Sequence, residues 1–482
     1  MIKADFLFKN INQKQIIAKN FFWLSFSQIS GRVLKAILII LAARILGASE
    51  YGRFSLSLSI LSLFFVFADL GISSLVTREL SKKIKESKEY LSTSFYLKSL
   101  LLIFSIILVI LAQFFIPSNK LKEIVLILLI MTALENIISF FYGIIRSTER
   151  MEKEALIYLS EIIVSVGLGF FVLFNFPSAK NLAWAYSLGA IVAFLVALIV
   201  LRKYLKIFFF YFQKKLVKKI ALDAWPFAFL ALVGRILTYT DVVMIGFLLR
   251  KSYLVGLYSA PLRVITFFQL PAILLAASIL PSLSRKIIDK SEIVLIKKSL
   301  VFLSAIALPL IAGGLILSRE IILFLFGQEY LASAKIFSLL ILVIFFLYFI
   351  IIFSHLLFAY NFQKKNALFL SLSALINVFL NFILISKFGI IGAALATLFS
   401  QIFCFFLFLF EVKKIEKTWP ITFFDLRKIF FASLLMAVFL YLLKFFSFPL
   451  PILIFLGALI YLFFLFLFRE PTLKEIREIF SQ

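Results

Sequence analysis

The chain has 482 residues, of which 63% are hydrophobic and only 15% charged, whereas soluble domains average roughly 45 to 50% apolar. A mean hydropathy of +1.11 over the whole length exceeds what a water-soluble core can enclose, so the solvent is lipid. Fifty Lys and Arg against 24 Asp and Glu give a formal charge of +26, but the charges sit in short segments between apolar runs, and nucleic acid is not an expected partner.

A bilayer core of roughly 30 Å takes about 20 apolar residues per helix. Residues 1–19 show no small-residue cleavage site behind a short apolar core and read as a retained cytoplasmic or interfacial segment. Spans follow at 20–44, 53–77, 92–116, 123–145, 155–176 and 181–201, then at 222–249, 256–283, 299–318, 336–359, 366–386 and 389–411. Two more, 427–446 and 449–468, close the series, with ends good to about four residues. The runs are continuous rather than alternating with period two, which selects helices over barrel strands. The expected fold is an all-α polytopic membrane protein of about 14 transmembrane helices. Its divisions are an N-lobe at 20–216, a second six-helix lobe at 217–412, and a C-terminal helix pair with a cytoplasmic tail at 413–482. In that tail Leu473, Ile476, Ile479 and Phe480 recur at helical spacing among charges, the pattern of a segment lying on the membrane surface.

Basic residues set the orientation. With the N-terminus in the cytoplasm, about 34 of the 50 Lys and Arg fall inside and about 11 outside. Lys82, Lys83, Lys85 and Lys88 mark one inner loop, Lys214, Lys215, Lys218 and Lys219 another, and Lys413, Lys414 and Lys417 a third. Outer turns carry one or two basic residues each, such as Lys180, Lys387 and Lys444. The expectation is a multi-pass protein of the inner, cytoplasmic membrane with both termini in the cytoplasm. The single cysteine, Cys404, lies in an apolar run, so intrachain disulfides are excluded and the thiol is packing.

An internal repeat runs at an offset of about two hundred residues. Gly31-Arg32-Val33-Leu34 returns as Gly234-Arg235-Ile236-Leu237, and Tyr51-Gly52-Arg53-Phe54-Ser55 aligns with Val255-Gly256-Leu257-Tyr258-Ser259. Six helices per repeat is an even number, so the two lobes would share one orientation about an axis along the membrane normal, with a solute site between them.

Ionisable groups inside spans cost about 2.5 to 3.5 kcal/mol each by insertion scales and face protein or water. Ser25, Gln28, Arg32 and Lys35 form one stripe on the first span; Ser55, Ser59, Ser62, Asp69 and Ser73 line the second. The fourth carries Glu135, Ser139, Tyr142 and Arg146, the seventh Arg235, Thr238 and Asp241, and the eighth Ser259, Arg263, Thr266 and Gln269. Arg32, Lys35, Arg235 and Arg263 are the candidates for a basic chamber that holds an anion, above all a phosphate taking bidentate Arg hydrogen bonds. Asp69, Glu135, Glu161 and Asp241 would balance that charge or carry a coupling proton or Na+; no other cofactor and no metal is expected. The competing reading for each cation is a gluing ion pair, such as Arg32 with Asp69. Ser25, Gln28 and Ser62 extend the polar lining, while Asn377 and Asn381, four apart, suit stitching between helices. His355 reads as an interfacial histidine. Pro226, Pro261 and Pro271 are sites for kinks.

Several segments carry a resemblance. LGASEYGRFSLSLSIL from Leu46, FADLGISSLVTREL from Phe67, LFGQEYLASAKIFSLL from Leu325 and ALINVFLNFILISKFGIIGAALATLFSQ from Ala374 are similar to the polysaccharide-exporter branch of the MOP superfamily. That branch contains the Wzx-type flippases of O-antigen and capsule repeat units. The resemblance covers roughly residues 15–412. It implies a two-lobed bundle that moves undecaprenyl-diphosphate-linked oligosaccharide from the inner to the outer leaflet by alternating access, without ATP hydrolysis. It also implies membrane lipids and glycan-assembly proteins as partners. The same superfamily holds multidrug cation exporters, which a basic chamber disfavours, and lipid II flippases. A membrane glycan polymerase or ligase would need catalytic groups on a substantial outer loop, and the longest expected here is 319–335. Neither a GxxxxGK[ST] phosphate loop nor an HExxH motif occurs.

Overall fold

The computed structural model describes residues 12–82, 88–116, 118–285, 291–416, 423–446 and 448–468. Lys83, Lys85, Lys417 and the amphipathic tail at 473–480 lie outside the described residues. The fold is all-helical, with no strand among the described residues. Twelve helices there are long and apolar enough to cross a membrane by length and composition, and they coincide with the expected spans from 92 onward. The first two expected spans fall outside that set.

Those two spans begin as one element, α1 (Gln13–Phe64). It starts where extended Asn12 accepts the Gln15 amide on its side chain at 2.9 Å, satisfying one of the free amides of the first turn. The helix reaches back into the segment expected to precede it. It bends once, at Gly47 with φ 73° and ψ 170°, a conformation open essentially to glycine alone. The second span is not continuous to 77 as expected. Residues 65–71 leave the helix, Leu70 and Gly71 at φ 38° and 77°, and α2 (Ile72–Lys82) restarts. Asp69 sits in that break, where its carboxylate accepts the Ser73 amide at 3.3 Å.

There follow α3 (Lys88–Ala112), α4 (Asn119–Ser147), α5 (Met151–Asn175), α6 (Ala179–Val200), α7 (Leu205–Phe210) and α8 (Lys214–Leu249). The span expected at 256–283 is two helices, α9 (Ser252–Phe268) and α10 (Leu270–Arg285). They part just before Pro271, which has no amide to continue the ladder. Pro226 and Pro261 stay inside their helices. After α11 (Ser291–Ile316), the expected loop at 319–335 is largely helical, formed by α12 (Ser318–Phe326) and a 3-10 turn at Gln328–Tyr330. The chain ends with α13 (Ser333–Ala359), α14 (Gln363–Phe388), α15 (Ile390–Glu416), α16 (Phe423–Leu443) and α17 (Leu450–Leu467).

By contacts the chain forms two units, residues 1–246 with 251–256, and residues 247–250 with 257–482. In the first unit, α8 packs with the helices before it. Ile138, Phe141 and Ile144 of α4 share a core with Leu75 and Val76 of α2, Ala193 of α6 and Phe208 of α7. Phe95 stacks on Phe208 at 4.7 Å. Lipid offers no hydrophobic drive for helices to associate, so close packing does the work, and small residues permit it. A Cβ on Gly52 would lie 1.8 Å from the Ser252 carbonyl oxygen, and one on Gly256 2.0 Å from that of Ala48. Residues 48 and 252, like 52 and 256, are 204 apart, so this crossing maps onto itself in the register of the internal repeat.

In the second unit, Phe349 and Phe353 of α13 pack on Phe405 of α15 with centroids 5.6 and 6.4 Å away. The C-terminal pair, α16 and α17, buries Ile429, Met436 and Leu453 beside α11. The Tyr461 hydroxyl donates to the Ala305 carbonyl at 2.8 Å. An apolar cavity of about 760 Å³ lies against this pair, lined by Phe268, Pro309, Phe337, Met436, Leu440 and Ile454 among others.

Gly52→Val and Gly256→Val are expected to destabilise the protein by about 3 kcal/mol or more, since the added groups overlap backbone rather than movable side chains. Gly167→Ala, where an added Cβ meets nothing within 4 Å, serves as the control and leaves stability unchanged or slightly raised. Thermal unfolding in detergent, monitored by tryptophan fluorescence, separates the three.

Candidate functional site: a charged cluster in the first unit

The stripe on α1 delivers Lys35 to a point where three other helices bring charge. Its ammonium donates to Glu161 Oε1 of α5 at 2.9 Å, with 26% of the Lys35 side chain exposed and 8% of Glu161. Glu135 of α4 lies near enough to Glu161, Lys35 and Arg235 to interact with them electrostatically. Tyr158, three residues before Glu161, holds its ring 6.0 Å from the ammonium. It packs flat on α1 because position 31 is glycine: a Cβ there would lie 2.5 Å from Tyr158 Cε1.

Arg32 and Arg235 complete the cluster. Arg32 is exposed, acts electrostatically on Tyr158, and has no ion pair among the described residues. Arg235 of α8 is exposed and lies 5.7 Å from the ring of Tyr239, one turn on. Three cations and two acids from α1, α4, α5 and α8 therefore converge. A surplus positive charge with two guanidinium groups not tied to carboxylates is an arrangement that accepts a multivalent anion.

The other expected site residues lie elsewhere. Arg263 is half-buried on α9 in the second unit. Asp241 is buried on α8, and Ser25, Gln28 and Ser62 are half-buried on α1. Asn381 donates to the Asn377 side-chain carbonyl at 3.0 Å, and Asn377 reaches Ser400 Oγ at 3.5 Å, stitching α14 to α15. His355 donates from Nδ1 to the Ile351 carbonyl of its own helix at 2.8 Å.

Asp69 does not pair with Arg32. Its partner is Lys98 of α3, whose ammonium also donates to Ser73 Oγ at 2.7 Å and Ser139 Oγ at 3.0 Å. The stripe on α4 is accordingly divided: Ser139 serves Lys98, and Arg146 makes a bidentate pair with Glu154 at 2.8 and 2.5 Å. Only Glu135 turns to Lys35. Lys98 shares a buried face of α3 with Ser94 and Ser105 at helical spacing, and that stripe, with a lysine well inside span 92–116, was the signal in the sequence.

Among solved structures, the chain is similar to the lipid II flippase MurJ in an inward closed conformation, at 23% identity and TM-score 0.77 over 92% of this chain and 98% of that one. It is also similar to an inward-facing multidrug transporter of the MATE family in the MOP superfamily, at 14% identity and TM-score 0.63 over 83% and 99%. These likenesses show the fold, and with its long apolar helices the molecule is a multi-pass membrane protein. A family model described as polysaccharide biosynthesis protein matches residues 17–287, more than half of the chain, and the chain belongs to that family. Relatives include the probable low-salt glycan biosynthesis flippase Agl15 of Haloferax volcanii, 26% identical over 80% of this chain and 81% of that protein. The capsular polysaccharide biosynthesis protein CapF of Staphylococcus aureus is 25% identical over 83% of this chain and 100% of its own length.

Lys98→Met leaves the partly exposed Asp69 carboxylate with only Ser73 as partner and is expected to cost about 1 to 3 kcal/mol. Lys98→Met with Asp69→Leu should recover most of that loss, because no charge remains to be compensated. Folded yield and detergent melting temperature of the two variants test this.

Proposed function

We propose that this protein is a flippase for polyprenyl-diphosphate-linked oligosaccharide, moving it from the inner to the outer leaflet of the cytoplasmic membrane by alternating access. The observation that carries the reading is the gathering of three cations in the first unit, Lys35 and Arg235 by the carboxyls of Glu161 and Glu135 and Arg32 by Tyr158. In this reading the guanidinium groups of Arg32 and Arg235 take the diphosphate oxygens in forked hydrogen bonds, and Lys35 adds a point charge. Ser25, Gln28 and Ser62 offer hydrogen bonds to sugar hydroxyls, each of which would otherwise lose water at a cost of kilocalories. Family membership and the flippase relatives support the same class of cargo.

The second unit, taken by itself, offers an apolar seat for a lipid chain. The cavity beside α16 and α17 fits a prenyl chain: its lining is almost wholly apolar, and the Tyr461 hydroxyl beside it is already satisfied by Ala305. No ATP-binding element is required. An inside-negative membrane potential favours outward movement of an anionic headgroup by about 2.3 kcal/mol per charge per 100 mV. The Lys and Arg asymmetry of the loops supports the orientation, with both termini in the cytoplasm.

Reconstituted in vesicles with a polyprenyl-diphosphate oligosaccharide, the protein is expected to bring the glycan within reach of an added lectin. Arg32→Ala and Arg235→Ala should each slow this at least about tenfold, the loss of one charge-assisted contact of about 1.5 kcal/mol or more, with the variants still folded. Normal flipping in both would remove the basis of the reading. Ala458→Phe, which fills the apolar cavity, should slow long-prenyl cargo more than a short-prenyl analogue; equal rates would detach the cavity from the lipid chain.

A further inference from the structure

The link between α6 and α8 is tied by hydrogen bonds to the start of α3, and the tie fixes which of its side chains face outward. Ser92 Oγ donates to the Phe208 carbonyl at 3.0 Å and accepts the Tyr211 amide at 3.3 Å, while Thr93 Oγ1 accepts the Gln213 amide at 2.9 Å. Phe208 is the buried anchor; Phe209 is 71% exposed and Phe212 46%. The Phe212 ring lies 4.8 Å from that of Tyr96 on α3. Tyr96 begins an exposed stripe that continues through Leu100, Ile103, Ile107 and Leu111 of this spanning helix, a face that acyl chains must cover. The aromatic pair thus stands where that face ends, the depth at which aromatic rings meet headgroups. The same stretch carries the charge. Residues 202–219 hold seven Lys and Arg and no Asp or Glu. Arg202, Lys203, Lys206, Lys214 and Lys215 are exposed and make no ion pair among the described residues. Lys88 adds its ammonium 5.3 Å from the Tyr211 ring, and Glu89 is the one acid at this start of α3.

We propose that residues 202–215, with Lys88 and Tyr96, form a docking platform for anionic phospholipid of the adjoining leaflet. The occupant is a lipid rather than a free anion because the cations flank aromatic rings that prolong an acyl-covered face, so one molecule with a phosphate and two tails satisfies both. The lysines meet the phosphate oxygens as point charges, and Phe209 and Phe212 lodge at the boundary between headgroups and chains. Each basic residue held near an anionic surface strengthens such binding about fivefold. Lys215 stands 20 residues before Arg235 on α8, about 30 Å of helix, so the platform is separate from the Lys35 cluster and does not rest on the flippase reading. Its consequence is that the first turn of α8, which begins at Lys214, is braced by lipid whose headgroup charge the cell can vary.

Native mass spectrometry of the purified full-length protein in neutral detergent reads the lipid it retains. Phosphatidylglycerol is expected to bind at least about tenfold tighter than phosphatidylcholine with the same chains, and added salt should erode the difference. Lys206→Gln with Lys214→Gln and Lys215→Gln should weaken phosphatidylglycerol at least about tenfold, and Phe209→Ser with Phe212→Ser should weaken both lipids. Removal of as many charges from exposed positions elsewhere, by Lys120→Gln with Lys251→Gln and Lys387→Gln, should change neither. All these side chains are exposed, so packing is untouched, and the comparison of headgroups on the unaltered protein needs no variant. Equal retention of the two lipids by the unaltered protein overturns the proposal, as does an equal loss of phosphatidylglycerol from the platform and control variants. Glycerol phosphate bound as tightly as the lipid would reveal a site for free anions, and poly-glutamate bound in place of the lipid would reveal a surface for acidic protein; either result overturns the platform as well.

Discussion

An ion placed among apolar helices must be met by another polar group, and in the first unit that demand decides which helices touch. Lys35 joins α1 to α5 through Glu161. Lys98 joins α3 to the break after α1 through Asp69, with Ser73 and Ser139 filling its remaining donors. Arg146 joins the end of α4 to the start of α5 through Glu154. Lipid does not push helices together, so these pairs, with the glycine crossing at Gly52 and Gly256, supply register that apolar surface alone would leave free.

The pairs differ in how completely each cation is engaged. Lys98 has three oxygen partners and a side chain 3% exposed, the condition of a structural tie. Lys35 has one partner, and 26% of its side chain is open. Exchange of that one partner for a ligand oxygen replaces one ion pair by another, which is a far smaller change than breaking a network. Among the described residues Arg32 and Arg235 make no ion pair with a carboxylate, and the proposed function assigns their hydrogen bonds to cargo.

Much of the fold was legible in the amino-acid sequence because bilayer thickness imposes a length that few other constraints imitate. The spans from 92 onward coincide with the observed spanning helices. The interruptions were harder to read. Gly47 and Gly71 resemble other glycines in sequence, and their backbone geometry depends on what lies beside them. The segment at 319–335 is short and polar at its ends, yet most of it is helical, since a helix satisfies its own backbone wherever it lies. The candidate site was legible as stripes. Lys35, Glu135 and Glu161 were each marked by sitting inside a span; Lys98 sits inside one as well, on a face with Ser94 and Ser105, but its acid, Asp69, lies in a break of the helix that the sequence does not announce.

Composition, span length and the spacing of charges thus determined a lipid-embedded helical bundle and the cations it had to accommodate, because hydrophobicity and helical period are properties of a single chain segment. Which acid meets which base was decided only by tertiary structure. Asp69 lies four residues from Ser73 but 29 from Lys98, and Lys35 lies 126 from Glu161. Pairings over such separations follow from how helices pack against one another, and no local pattern along the chain encodes them.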